Sequence, residues 1–146
     1  MAVVGIDLGT TNTVVAAVRD GRATALKDSV GRTLLPSVVS FPATGEPLVG
    51  YEAKEQRSYE PDATIFSIKR LIGRSWESEH VQKARPRFPF ALKEGPGKAT
   101  LVSARGADYT LPEISALVLE RARGIAEERL GETVSDVVIT VPANFN

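Results

Sequence analysis

An acidic residue and a short run of small polar residues stand close together near the start of the chain. Asp7 lies two residues before the segment Gly9-Thr10-Thr11-Asn12. A turn of this composition can present several backbone N–H groups and two hydroxyls to one anion, because little side-chain bulk blocks a close approach. The carboxylate would repel a bare phosphate unless a hydrated divalent cation lay between the two. The segment therefore predicts a site for a phosphate and a magnesium ion.

An ordinary hairpin turn explains the same residues equally well. In that interpretation, Asp7 only accepts hydrogen bonds from the turn. The two common phosphate-binding loops do not decide the matter, because the chain contains neither G-x-x-x-x-G-K-[ST] nor a G-x-G-x-x-G segment after a strand. The turn taken alone leaves both interpretations open.

The segments on either side of this turn are predicted to be strands of an antiparallel meander. Residues 3–8 and 13–19 are rich in valine and other apolar residues, and Asp20-Gly21 is a strong signal for a second hairpin turn. A third strand is expected over residues 22–27. The first turn is therefore expected to join two neighbouring antiparallel strands.

The middle of the chain is predicted to alternate between short strands and short helices. The expected strands lie near residues 38–41, 48–49, 88–92, 99–102 and 108–110, and the expected helices over 51–59, 63–72 and 77–84. One face of the helix expected over 63–72 carries Ile65, Ile68, Leu71 and Ile72. Lys69 stands at the rim of this face, where it is either a solvated lysine or a cationic donor that reaches a phosphoryl group across a cleft.

The last part of the chain carries the clearest helix signal. Thr110 and Glu113 form a capping-box pattern with Pro112 in the first turn, and a continuous apolar stripe follows as far as Gly131. Residues 134–141 then form a β-branched run, which predicts a strand buried on both faces. A buried strand without a following covering element is expected of a piece of a larger α/β fold.

Composition narrows the classes of function. Among 146 residues there are 18 basic and 18 acidic residues, so net charge gives no reason to expect nucleic acid or an anionic membrane as a partner. The absence of cysteine excludes thiolate chemistry, and the single His80 makes a Ser-His-Asp triad unfavourable. No secretory signal and no membrane-spanning run is visible, so a cytoplasmic location is expected.

Three segments, taken in order, resemble the start of the 70-kDa heat-shock (Hsp70, DnaK-like) chaperones. They are Ile6-Asp7-Leu8-Gly9-Thr10-Thr11-Asn12, Ile68-Lys69-Arg70-Leu71-Ile72-Gly73-Arg74, and Val138-Ile139-Thr140-Val141-Pro142-Ala143 followed by Phe145-Asn146. The resemblance covers essentially the whole chain. It implies part of lobe I of an actin-like (ribonuclease H-like) ATPase fold, with a mixed sheet. Residues 1–36 and 111–146 would form halves of a base subdomain, and residues 37–110 a small inserted α+β subdomain.

The resemblance also implies roles for individual residues. Gly9, Thr10, Thr11 and Asn12 would contact the phosphates of ATP or ADP, and Asp7 would hold water-coordinated Mg²⁺ and neighbouring K⁺. Lys69 would be the catalytic lysine that positions the attacking water and stabilises charge at the γ-phosphate. Pro142 would signal the nucleotide state to a peptide-binding domain. The pattern departs from the family at Asn144, where most members carry tyrosine, and this puts the tuning of ATP hydrolysis or interdomain coupling in doubt.

The implied function belongs to a longer parent protein. That parent would hydrolyse ATP to drive capture and release of unfolded polypeptides, together with a J-domain co-chaperone and a nucleotide exchange factor. The 146 residues alone are expected to bind nucleotide weakly and not to turn it over. An actin-like nucleotide switch that handles no unfolded clients is the alternative. A sugar kinase or filament-forming relative is a third hypothesis, against which the segment of residues 68–73 argues.

Overall fold

The computed structural model describes residues 2–140 of the chain. Its strands are β1 (Ala2–Leu8), β2 (Asn12–Arg19), β3 (Arg22–Ala25), β4 (Leu35–Pro36), β5 (Val38–Ser40), β6 (Leu48–Val49), β7 (Thr64–Phe66), β8 (Ala91–Glu94), β9 (Thr100–Ala104), β10 (Ala107–Thr110) and β11 (Val134–Thr140). Its α-helices are α1 (Tyr51–Glu55), α2 (Glu79–Ala84) and α3 (Leu111–Leu130). Short 3₁₀ turns lie at Pro61–Ala63, Ile68–Leu71, Arg85–Arg87 and Pro96–Lys98.

The largest sheet is mixed and has β1 near its centre. Its order is β11-β1-β2-β3, with β4 also paired to β2. β1 runs antiparallel to β2, with Leu8 opposite Thr13 beside the turn, and parallel to β11, with Asp7 opposite Thr140. Two three-stranded sheets, β6-β5-β7 and β10-β9-β8, are built from the segment between β4 and α3. The mixed α/β fold is as predicted.

Helix α3 covers one face of the large sheet, and its local signals explain its bounds. Thr110 Oγ1 accepts a hydrogen bond from the Glu113 amide, and the Glu113 carboxylate accepts one from the Thr110 amide, so the predicted capping box is confirmed. The helix ends where Gly131 adopts a left-handed conformation. Its buried stripe packs on the alternate residues of β1 and β2 that face it. These buried residues are Ile114, Val118, Ala122, Ile125 and Ala126 on α3, and Val4, Ile6, Val15 and Ala17 on the strands.

The helix predicted over residues 63–72 is wrong. Thr64–Phe66 form strand β7, which pairs with β5 and places Ile65 opposite Val39. Ser67 then adopts a left-handed conformation with φ of 57°, and only residues 68–71 form a single 3₁₀ turn. Strand pairing outweighs the helical spacing, because the tertiary contact with β5 satisfies the backbone groups of residues 64–66 in an extended conformation. The helix predicted over 51–59 is likewise shorter, ending at Glu55.

The last strand also differs from its prediction. A strand buried on both faces was expected over residues 134–141, but in β11 only Val134 is buried. The side chains of Val138 and Ile139 are 59% and 47% exposed. The apolar run reflects strand propensity, whereas burial requires neighbours that residues 2–140 do not supply. Among these residues, no helix has the length and apolar character needed to cross a membrane.

Candidate phosphate-binding site

The turn that joins β1 to β2, residues 9–12 with Asn12 as the first residue of β2, is closed so tightly that it requires a glycine. A Cβ atom added at Gly9 would collide with the carbonyl oxygen of Asn12. The close approach of two backbone segments, rather than a positive φ angle, therefore excludes any side chain at this position. Thr11 is exposed, and Thr10 and Asn12 are half-buried. We call residues 9–12 the first turn.

Ser37, which lies just after β4, fixes the first turn from one side. Its hydroxyl donates a hydrogen bond to the carbonyl oxygen of Gly9 at 2.8 Å, and its amide donates to the carbonyl oxygen of Thr11 at 2.9 Å. The Ser37 and Thr13 hydroxyls are 2.9 Å apart. Because the Ser37 proton points at Gly9, Thr13 is the donor in this pair. The first turn is thus held at two alternate carbonyl groups.

Nothing in the sequence around Ser37 predicts a role for this residue. It lies 28 residues from Gly9 along the chain, and serine after proline is common in loops. No spacing rule connects positions so far apart. The short β-bridge between β4 and β2, with Asn12 opposite Pro36, brings them together.

Lys69 lies in the 3₁₀ turn that follows β7, and its side chain is only 5% exposed. The interpretation as a solvated lysine is therefore wrong. Burial lowers the pKa of the Lys69 ammonium, and the negative charge of Asp7 acts in the opposite direction, raising it. The two residues predicted from separate motifs are thus close enough for the charge of Asp7 to act on the pKa of Lys69.

The first turn and Lys69 line one small cavity at the end of β1. The cavity has a volume of about 20 Å³, space for about one water molecule. Its polar lining includes three serines and Lys69, whereas Ile68, Ile114 and Val118 contribute apolar side chains. The full lining is Leu8, Gly9, Thr10, Ser37, Ser67, Ile68, Lys69, Ile114, Ser115 and Val118. A triphosphate is too large for this space. The cavity can therefore form only a small part of a larger site that is open to solvent.

Asp7 is exposed and lies on the sheet face opposite α3, because the alternating residues Ile6 and Leu8 point into the core. Within residues 2–140, no group of three or more His, Cys, Asp or Glu side chains could hold a metal ion. One carboxylate fits a hydrated Mg²⁺ that takes most of its ligands from water and phosphate oxygens. It does not fit a metal enclosed by protein ligands. The predicted coupling residue Pro142, and Asn144 beside it, lie outside the described residues.

A mixed α/β fold with a tight glycine turn and a buried lysine at the end of its central strand fits part of an actin-like ATPase domain. The family model described as Hsp70 protein matches residues 3–146. The chain therefore belongs to the Hsp70 family, and it corresponds to an N-terminal part of that family's ATPase domain. Members of this family bind ATP or ADP together with Mg²⁺. The division into residues 1–36 with 111–146 and residues 37–110 stays a prediction.

Proposed function

We propose that this chain forms one wall of the nucleotide site in a chaperone that couples ATP hydrolysis to capture and release of unfolded polypeptides. The proposal rests on family membership and on one observation: Gly9, Thr10 and the buried Lys69 line the same cavity. As in the family, a J-domain co-chaperone and a nucleotide exchange factor would act on the parent protein. We place that protein in the cytoplasm.

The first turn would bind the terminal phosphates through its backbone amides and through the hydroxyls of Thr10 and Thr11. Small side chains and a glycine allow an anion to approach these amides closely. Asp7 would accept hydrogen bonds from the water shell of the cation. A bound Mg²⁺ would supply charge neutralisation on the phosphates, and K⁺ could occupy a neighbouring position. Pro142 would carry the nucleotide state onward to the peptide-binding domain.

Lys69 would act on the γ-phosphate as a fixed cationic donor. Its burial keeps water from screening the charge, which strengthens its interaction with developing charge in the transition state. The nearby carboxylate of Asp7 favours the charged form of the lysine and so opposes the effect of burial on its pKa. A buried lysine in this position can also orient an attacking water molecule by hydrogen bonding.

Lys69→Ala in the full-length protein tests this assignment. We expect the single-turnover rate of ATP hydrolysis to fall by about 10²–10³-fold, as on removal of one preorganised transition-state donor. Calorimetric affinity for MgADP should change by no more than a few-fold, because the contact matters mainly in the transition state. Arg70→Ala is the matched control, since Arg70 is the exposed neighbour in the same 3₁₀ turn.

Unchanged single-turnover hydrolysis in Lys69→Ala would remove this lysine from the mechanism. A wild-type protein that binds MgATP but never releases an unfolded peptide in response would instead favour the actin-like nucleotide switch. The two outcomes are measured separately, because one follows phosphate release and the other follows dissociation of a labelled peptide.

A further inference from the structure

We infer that Ser37 is a positioning residue that orients the amides of the first turn toward the phosphates, an inference that rests on the proposed function. Ser37 itself would touch no phosphate. It acts through the carbonyl oxygens of Gly9 and Thr11, to which its hydroxyl and its amide donate hydrogen bonds.

The direction of the amides follows from peptide geometry. In a planar trans peptide, the C=O of one residue and the N–H of the next point in opposite directions, and the described chain contains no cis peptide bond. With the Gly9 oxygen held toward Ser37, the Thr10 N–H points away from it. With the Thr11 oxygen also held toward Ser37, the Asn12 N–H points away as well. Two alternate amides of the turn are thereby aimed to the side opposite Ser37.

The hydroxyl of Ser37 is itself fixed by a second hydroxyl. Thr13 is 1% exposed, and its Oγ1 donates to Ser37 Oγ across 2.9 Å. The resulting chain of donors runs from Thr13 to Ser37 to the Gly9 carbonyl oxygen. Because every proton in this chain has one direction, the hydroxyl of Ser37 has no free rotation left. Such a network preorganises the turn before any ligand arrives.

Ser37 also connects the first turn to the segment that carries Lys69. It lies between β4, which pairs with β2 beside the turn, and β5, which pairs with β7. β7 ends at Phe66, three residues before Lys69. The position of Ser37 therefore sets the spacing between the phosphate-facing amides and the buried lysine, in addition to the orientation of those amides.

Hydrogen exchange of the nucleotide-free, full-length protein tests, without any ligand, whether the Ser37 hydroxyl holds the first turn in place. In Ser37→Ala, we expect the amide of residue 37, which donates to the carbonyl oxygen of Thr11, to exchange roughly tenfold faster relative to its intrinsic rate, since two hydrogen bonds of the hydroxyl are lost. Ser40→Ala is the matched control, because Ser40 is a buried serine of β5 whose hydroxyl pairs with Thr64 at 3.0 Å, away from the turn. It should leave exchange of the residue 37 amide unchanged.

Calorimetry with MgADP then tests the positioning role. Ser37→Ala should weaken binding by roughly tenfold, and Ser37→Thr, which keeps the hydroxyl, should restore it to within about threefold of wild type. Ser40→Ala should lower the urea midpoint without changing the affinity. Should Ser37→Ala fail to fold, Ser37→Cys keeps a similar volume with only a weak donor and should show the same loss of affinity.

Unchanged exchange in Ser37→Ala would overturn the inference, and so would an equal loss of affinity in Ser40→Ala. Faster exchange with unchanged MgADP affinity would also overturn the inference. It would mean that Ser37 stabilises the turn but does not position the amides for phosphate. If the wild-type protein bound neither MgATP nor MgADP, but Ser37→Ala still exchanged faster, the proposed function would be refuted. The stabilisation of the first turn by Ser37 would then remain supported.

Discussion

The first turn, between β1 and β2, and the turn at Asp20-Gly21, between β2 and β3, belong to one meander, and each contains one glycine. In the first turn, Gly9 is needed because a Cβ atom would strike the backbone of Asn12. In the second turn, Asp20 and Gly21 have φ angles of 53° and 75°, and open space surrounds the position of a Cβ on Gly21. Gly9 is therefore required by tertiary packing, whereas Gly21 is required by local backbone geometry.

This difference shows where a hairpin turn can become a binding site. A turn with two positive φ angles is encoded by its own two residues and needs no support from the rest of the fold. The first turn is supported by Ser37, which lies between β4 and β5, and lies beside Lys69, in the 3₁₀ turn that follows β7. Support from distant segments fixes the backbone groups in advance, which is what recognition of an anion by amides requires.

The largest expected effect comes from a side chain placed at the tight turn. Gly9→Ala should lower the free energy of unfolding by about 1–3 kcal/mol, because the added methyl forces apart backbone segments that already touch. MgADP affinity should fall with it. Gly124→Ala is the control in urea unfolding, since a Cβ there meets nothing within 4 Å and helix propensity predicts a stabilisation of up to about 1 kcal/mol. A stable Gly9→Ala protein with normal affinity would contradict the packing argument.

An intermediate effect is expected from the donor at the start of β2. Thr13→Val removes the proton that the Ser37 oxygen accepts, which should cost about 1–2 kcal/mol of stability at constant side-chain shape. Thr24→Val, in β3 beside the second turn, is exposed and should change stability by less than about 0.5 kcal/mol. The comparison between the two turns fails if the two valine substitutions have equal effects in urea unfolding.

The smallest effect is expected at the second turn. Gly21→Ala should cost about 1 kcal/mol, because alanine is strained at a φ of 75°, whereas Gly21→Asn should cost only a few tenths, because asparagine tolerates this conformation. Neither substitution should alter MgADP affinity. Thermal unfolding and calorimetry of both variants measure these differences, and a loss of affinity in either one would show that the second turn also communicates with the site.

The sequence predicts best where the signals are local. The capping pair Thr110 and Glu113 defines the start of α3, and Asp20-Gly21 defines the second hairpin turn, because each depends on residues that are neighbours in the chain. The first turn was also located correctly between two antiparallel strands. These features need no knowledge of the rest of the fold.

The sequence predicts the structure least well where contacts between distant segments determine it. Ile65, Ile68 and Ile72 have helical spacing, yet pairing between β5 and β7 places Ile65 in a strand, and only Ile68 lies in the 3₁₀ turn that follows. The burial of Lys69 follows from that division and could not be inferred from a helix face. The role of Ser37 is harder still to predict from the sequence, because its hydrogen-bond partners lie on β2 and in the first turn. The role of each predicted site residue in nucleotide binding stays a prediction until the variants are measured.

The pairing of β1 with β11 has a consequence for how the protein is made. The strand that leads into the first turn is synthesised well before its parallel neighbour β11, which begins at residue 134. At typical translation speeds the wait is on the order of ten seconds. During this interval one edge of β1 has unpaired N–H and C=O groups, an edge to which other chains can add. The unpaired edge of β1 is therefore exposed to association with other chains until β11 has been made.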